Sequence, residues 1–243
     1  MKHPRGMTLM EVLIAVSLVA LLSTGMLFAL RAGLGSVESI NRHVRNARKA
    51  SGAQTILEQQ FAGLIPVVAP CRTGAAQDYG APAAFFDGEP GVIRFVSAYS
   101  LEESGRGRPQ ILELFAIPAD DGGGVRLLVN ETPYNSPLSA GMMCALENSE
   151  SGGAPLLIFP TPRPSPRSFV LADRLSTVSF AYQEITPVEP YERWLPRWVR
   201  IDAFPSAVRI EMTPLEADAS RIPPLPFVAR IQVNRSVNEA LEY

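Results

Sequence analysis

Few side chains in this 243-residue sequence could do chemistry, and their spacing gathers none of them into a recognisable set. Histidine is the residue that exchanges protons near neutral pH, and the only two are His3 and His43, neither with a thiol or a group of acids beside it. A carboxylate pair such as Asp173 and Glu184 could meet in space and act on a glycan. With 24 acidic residues, though, such pairs arise by chance, and solvated carboxylates are the plainer reading. The run Asp120-Asp121-Gly122-Gly123-Gly124 lacks the alternating oxygen ligands and closing Glu of a calcium loop, so it reads as a turn. No Ser-centred elbow, His-rich metal pattern, phosphate loop or nucleotide fingerprint occurs. The expectation is a protein that is not an enzyme, with no catalytic residue, no metal and no cofactor. The two cysteines, Cys71 and Cys144, have no metal-site spacing; a disulfide between them in an oxidising compartment is one reading, and two separate thiols is the other.

Glu11 is the residue that the bulk composition does not explain. It is the only ionisable side chain in the stretch from Met7 to Leu30, which as a helix would rise about 36 Å, enough to cross a hydrocarbon core of about 30 Å. Lys2 and Arg5 precede that stretch, and no small-residue cleavage site follows it; Ser17, Ser23 and Thr24 lie inside it. A signal anchor results, with Lys2 and Arg5 on the cytoplasmic side and the bulk of the chain beyond the membrane. An isolated carboxylate is expensive among lipid tails unless it finds a partner. A cut after Gly6 would supply one, an ammonium on Met7 of a neighbouring helix; a first turn lying wet in the headgroup layer is the alternative. Formal charge is −2, or −4 once Lys2 and Arg5 are removed, and no basic stripe follows, so no nucleic-acid partner is expected.

The ordered run Gly6-Met7-Thr8-Leu9-Met10-Glu11-Val12-Leu13-Ile14-Ala15 resembles the class III signal of type IV pilins and type II secretion pseudopilins. That resemblance implies cleavage between Gly6 and Met7 by a prepilin peptidase, methylation of the new Met7 amine, and assembly roles for Glu11 and Thr8. It implies an α+β, pilin-like fold, with a long N-terminal helix packed against antiparallel sheets. The chain then divides into a leader (1–6), a transmembrane and filament-core helix (7–30), its amphipathic continuation (31–65) and a β-rich periplasmic domain (66–243).

The rest of the sequence supplies the elements. Val37, Ile40, Val44, Ala47, Ala50, Leu57, Phe61 and Leu64 recur at helical spacing, with charged residues mainly between them, until Pro66. The 22 prolines and 18 glycines fall mostly after residue 63 and predict short strands joined by turns. Residues 66–90 read as irregular. Val92–Tyr99, Ile111–Ile117 and Val125–Val129 read as a meander of three strands, with Ile93, Phe95 and Tyr99 on one face and a turn over Gly105–Pro109. Met142–Cys144 reads as a short helix or covered loop, and Gly152–Arg167, with Pro155, Pro160, Pro162, Pro164 and Pro166, as an extended connector with no interior sheet role. Leu171–Leu175 reads as a turn or short helix. Val178, Phe180 and Tyr182 share one strand face; Val208, Ile210 and Met212 share another; Phe227–Val233 is a last strand. Tyr191, Trp194 and Trp198 occupy a Pro-punctuated loop over 187–205, where they either cover one end of the sheet or offer a contact to another subunit.

The stretches Ser179-Phe180-Ala181-Tyr182 and Phe204-Pro205-Ser206-Ala207-Val208-Arg209-Ile210-Glu211-Met212, with the Trp loop between them, are similar to minor pseudopilin J of the type II secretion system. The resemblance implies a structural subunit at the tip of a periplasmic pseudopilus, helping to start filament assembly and to export folded proteins across the outer membrane. Its implied location is the bacterial inner membrane, single-pass, with the C-terminal domain in the periplasm. The implied partners are I-like and K-like minor subunits, the major pseudopilin, the prepilin peptidase, the inner-membrane assembly platform and secreted proteins. Rival readings are a minor pilin of a type IV pilus or DNA-uptake filament, and a signal-anchored periplasmic binding module.

Overall fold

A computed structural model of the protein describes residues 9–74, 78–103, 105–120, 122–147, 155–215 and 226–232, with the backbone alone described over 32–51. Gly6, Met7, Thr8 and His3 lie outside these residues, as do the side chains of Val37 to Ala50 and His43. The chain forms two compact units, Met1–Ser51 and Gly52–Tyr243.

The first unit is helical. From Leu9 to Arg31, helix α1 (Leu9–Ala62) leaves every side chain exposed and is long and apolar enough to cross a membrane, the only such span among the described residues. Two of its hydroxyls are satisfied within the helix: Ser17 donates to the Ile14 carbonyl at 2.8 Å and Thr24 to the Ala20 carbonyl at 2.7 Å. Such back-bonding is how a hydroxyl persists where water is absent.

In the second unit, the residues of α1 from Gly52 onward bury Ala53, Leu57 and Phe61, four apart, while Gln54, Glu58 and Gln59 stay exposed. The helix ends at Ala62, short of the boundary at 65 that the sequence suggests. There the Gly63 N–H donates to the Gln59 carbonyl at 2.9 Å. A Cβ at Gly63 would stand 2.3 Å from the Tyr99 ring, so only glycine lets the chain turn here.

Thirteen strands and a short helix follow among the described residues: β1 (Leu64–Ile65), β2 (Val68–Thr73), β3 (Asp78–Ala84), β4 (Asp87–Gly88), β5 (Val92–Ser100), β6 (Gly105–Pro118), β7 (Val125–Pro133), α2 (Pro137–Gly141), β8 (Ala145–Glu147), β9 (Leu156–Ile158), β10 (Phe169–Ile185), β11 (Glu192–Leu195), β12 (Ala207–Pro214) and β13 (Phe227–Arg230). They form a nine-stranded antiparallel sheet, in the order β1-β5-β6-β7-β10-β12-β13 with β4 beside β5 and β11 beside β10, and a four-stranded sheet β3-β2-β8-β9. The expected meander is β5-β6-β7, and the α+β, pilin-like class stands.

Several expectations are corrected. Residues 66–90 are not irregular but carry β2, β3 and β4. Pro70 faces Pro82 across the β2–β3 ladder, so the two missing donors fall at one rung. On the other side of Pro70 comes α2, where a Cβ on Gly141 would lie 2.2 Å from the Pro70 carbonyl. Gly105–Pro109 belongs to β6 rather than to a turn. Leu171–Leu175 is neither turn nor helix but the bulged first half of β10, with Arg174 at φ 55° and register shifts on both sides. The 187–205 loop contains β11, and the 152–167 connector contains β9, which lies at the edge of the small sheet. Between Ser97 and Tyr99 the register shifts, two residues of β5 standing against four of β6, and Tyr99 is half-buried with the Arg106 guanidinium 5.3 Å from its ring centre. Met142 is exposed and Cys144 buried, just past α2.

The central strands are buried on both faces. Ile93, Phe95, Leu112, Leu114, Leu127 and Val129 join Leu57, Phe61, Phe180, Tyr182, Val208 and Ile210 in one core. Val96 and Ile111 point the other way, into a second core with Val67, Ala69, Cys71, Phe85, Ala140, Cys144 and Leu146. A sheet covered on both sides explains why β5 and β6 read as nearly continuous apolar runs.

Candidate functional site

On the second face, a row of polar side chains runs across four strands at right angles to them. Asp87 of β4 stands opposite Arg94 of β5, Arg94 opposite Glu113 of β6, and Glu113 opposite Asn130 of β7. Directly opposed residues on one face lie close enough to bond. Arg94, which has no solvent exposure, donates from Nη1 to Asp87 Oδ2 at 2.8 Å, from Nε to Glu113 Oε1 at 2.8 Å and from Nη2 to the Pro160 carbonyl at 2.8 Å. Its guanidinium carbon lies 4.8 Å from the centre of the Phe159 ring, which in turn meets Phe85 edge-on at 5.4 Å. Asn130 donates to Glu113 Oε2 at 3.1 Å and to the Arg163 carbonyl at 3.0 Å, and accepts from Ser168 at 2.6 Å.

The row therefore fixes the proline-rich strap 155–168 to the sheet, through two main-chain carbonyls and one hydroxyl. Burial pushes the Asp87 carboxyl up to about 6, more than Arg94 pulls it down, with Glu89 and Glu113 pushing the same way and Arg197 the opposite way. Sequence reading missed this row. The available signal was a charged residue in each of two strands otherwise apolar on both parities, Arg94 in Val-Ile-Arg-Phe-Val and Glu113 in Ile-Leu-Glu-Leu-Phe.

A disulfide joins Cys71 of β2 to Cys144, between α2 and β8, with an S–S distance of 2.00 Å. It closes a loop of 73 residues that contains β3 to β7. The same neighbourhood is reinforced by a cap on α2, where Ser136 accepts from the Ser139 N–H and Ser139 accepts in return from the Ser136 N–H.

The three loop aromatics part company. Trp198 is buried: its Nε1 donates to the Ala203 carbonyl at 2.9 Å, and its N–H to the Gly88 carbonyl at 2.7 Å. Trp194, on β11, is half-buried with the Arg209 guanidinium 4.8 Å from its ring centre. Tyr191 is exposed. So one aromatic covers the sheet, one stacks at its margin, and one faces solvent. Nearby, Tyr182 meets Phe86 edge-on at 5.8 Å, and its hydroxyl donates to the Glu89 carbonyl at 2.7 Å; burial raises its phenol well above the usual value.

Asp173 and Glu184 do not come together. They lie far apart along β10, Asp173 exposed and Glu184 buried against Arg193 at 2.6 Å, with Arg200 at 3.7 Å. Asp120 pairs with Arg126 at 2.8 Å. Glu11 is exposed on α1, two residues into its first turn.

Residues 1–27 match the family model described as the prokaryotic N-terminal methylation motif. No curated protein and no solved structure matches the chain. The chain thus carries a type IV pilin-like signal that leads into an exposed apolar span long enough to cross a membrane, with an antiparallel β-rich unit after it, the features of a single-pass, membrane-anchored protein. A motif of this kind implies processing by a prepilin peptidase and assembly with other pilins.

Proposed function

We propose that the protein is a minor pseudopilin of the type II secretion system, a structural rather than catalytic subunit at the tip of a periplasmic pseudopilus. The observation that carries this reading is the methylation motif leading into the apolar span Leu9–Arg31, on which Glu11 is the one carboxylate. Cleavage after Gly6 frees an amine on Met7, and Glu11 of a neighbouring helix neutralises it away from water, fixing the axial register of the bundle. The β-rich unit then stands in the periplasm, where an oxidising environment suits the Cys71–Cys144 bridge. Support for the J-like branch comes from β10 and β12. The Phe180–Tyr182 strand pairs directly with Val208–Ile210, Phe180 opposite Ile210 and Tyr182 opposite Val208.

The partners in this reading are I-like and K-like minor subunits, the major pseudopilin, the inner-membrane platform and the exported proteins. Intact mass of the membrane-extracted protein tests the first step: six residues lost and one methyl gained is the expected result. Deleting the gene tests the second. Loss of folded-protein export with surface pili unchanged fits a secretion pseudopilin; loss of pili or DNA uptake with export intact moves the protein to a type IV filament.

A further inference from the structure

The β10–β11 hairpin carries an apolar surface at its end. Among the described residues outside α1, the four most exposed large apolar side chains all fall between 185 and 199: Ile185 at 60%, Val188 at 71%, Tyr191 at 63% and Val199 at 56%, with Met142 next at 51%. Three of them, Ile185, Val188 and Tyr191, sit within one seven-residue end of the hairpin. That end is held in shape. The Thr186 N–H donates to the Tyr191 carbonyl at 2.8 Å, and the Thr186 hydroxyl lies 2.7 Å from both the Val188 and Pro190 carbonyls. At its base, Gln183 bonds Glu192 at 2.7 Å and Arg193 bonds Glu184 at 2.6 Å. A stiff apolar knob loses little conformational freedom on docking, which is the property that makes a few residues dominate an interface.

We infer that Ile185, Val188 and Tyr191 form a docking knob for a different subunit of the same assembly, one presenting an apolar cleft with a cationic rim. This rests on the pilin-type assembly proposed above. The charge follows from Glu189, which stands at the end of the knob and forms no ion pair among the described residues. A second copy of this chain fits less well. Its cleft of about 300 Å³ between the end of α1 and β13 has an apolar floor of Phe61, Leu64, Ala229 and Ile231, but the rim carries Glu58 beside Arg230 and so offers no net positive charge.

The test is site-specific photo-crosslinking of the full-length protein in cells, with the photoreactive residue at position 188 or 191, and at exposed Thr132 on β7 as control. Adducts from 188 and 191 to a different chain with an N-terminal methylation motif, at least several-fold above those from 132 and reduced several-fold by Glu189→Lys, are expected. Adducts only to a second copy or to a secreted protein, or yields no higher than at 132, overturn the inference. Val188→Asp should leave leader removal and thermal unfolding unchanged while abolishing the adduct formed from 191. If the leader is removed and Met7 methylated but no adduct forms, only the knob fails; if the leader stays attached, the pilin-type reading fails first.

Discussion

The two faces of the nine-stranded sheet bury their side chains by different physics. Toward α1, the buried residues of β5, β6 and β7 are Ile93, Phe95, Leu112, Leu114, Leu127 and Val129, with Phe61 stacked on Phe95 at 4.9 Å. Toward the small sheet, the same three strands present Arg94, Glu113 and Asn130 among Val96, Ile111 and Phe85. Apolar contacts are non-directional and tolerate a shift of partner. A buried guanidinium with two carboxylates and a carbonyl tolerates none, since each unmet group costs several kcal/mol. The contrast assigns bulk stability to the first face, and to the second the placing of a strap that has only three residues of strand to hold it.

Removing one member of the charged row gives the largest expected change. Arg94→Ala leaves Asp87 and the Pro160 carbonyl without their donor and Glu113 with Asn130 alone, and should destabilise the second unit by about 3–5 kcal/mol in denaturant unfolding. Replacing Arg94, Asp87 and Glu113 together with Met, Leu and Leu should recover most of that loss. Full recovery with the strap still protected from proteolysis would erase the distinction between the faces; recovered stability with a cleavable strap would sharpen it.

Of nearly the same size is the loss of the disulfide. A closed loop of 73 residues implies about 4 kcal/mol from chain entropy, read as a lower denaturant midpoint of Cys71→Ser/Cys144→Ser. Both residues lie on the second face, so Leu112→Ala on the first is the matched control, expected to cost about 2–5 kcal/mol while leaving the strap protected.

A smaller effect is dependent on pH. The folded Asp87 carboxyl titrates near 6, above its ordinary 3.8, so the native state binds that proton more tightly than the unfolded chain. Its contribution is full below the ordinary value and is lost as pH rises through about 6. Asp87→Asn should flatten the stability profile between these limits by an amount on the order of 2–3 kcal/mol, measured as the difference from the parent protein. The smallest change is at α2, where Ser136→Ala removes the cap and should cost about 1 kcal/mol in thermal unfolding.

What could be read from the sequence was whatever a single local pattern decides. The membrane stretch, the Gly6–Ala15 motif, the β5-β6-β7 meander and the pairing faces of Phe180–Tyr182 and Val208–Ile210 follow from length, order or alternation. The strands within 66–90 did not, because Pro70 and Pro82 argue locally against a sheet, and only their opposition at one rung makes them compatible with it. The polar row was invisible for a related reason. Arg94 and Asp87 are close in sequence, but the carbonyls of Pro160 and Arg163 that complete the site arrive from far along the chain. The loop aromatics were seen as one group, whereas burial divides Trp198 from Tyr191.

The inward-turned hydroxyls of Ser17 and Thr24 bear on how such a rod changes company. Each already has its acceptor within the same helix, so trading a lipid neighbour for a protein one breaks no bond at either residue. In the filament proposed above, the exchange at those two positions would be governed by shape alone.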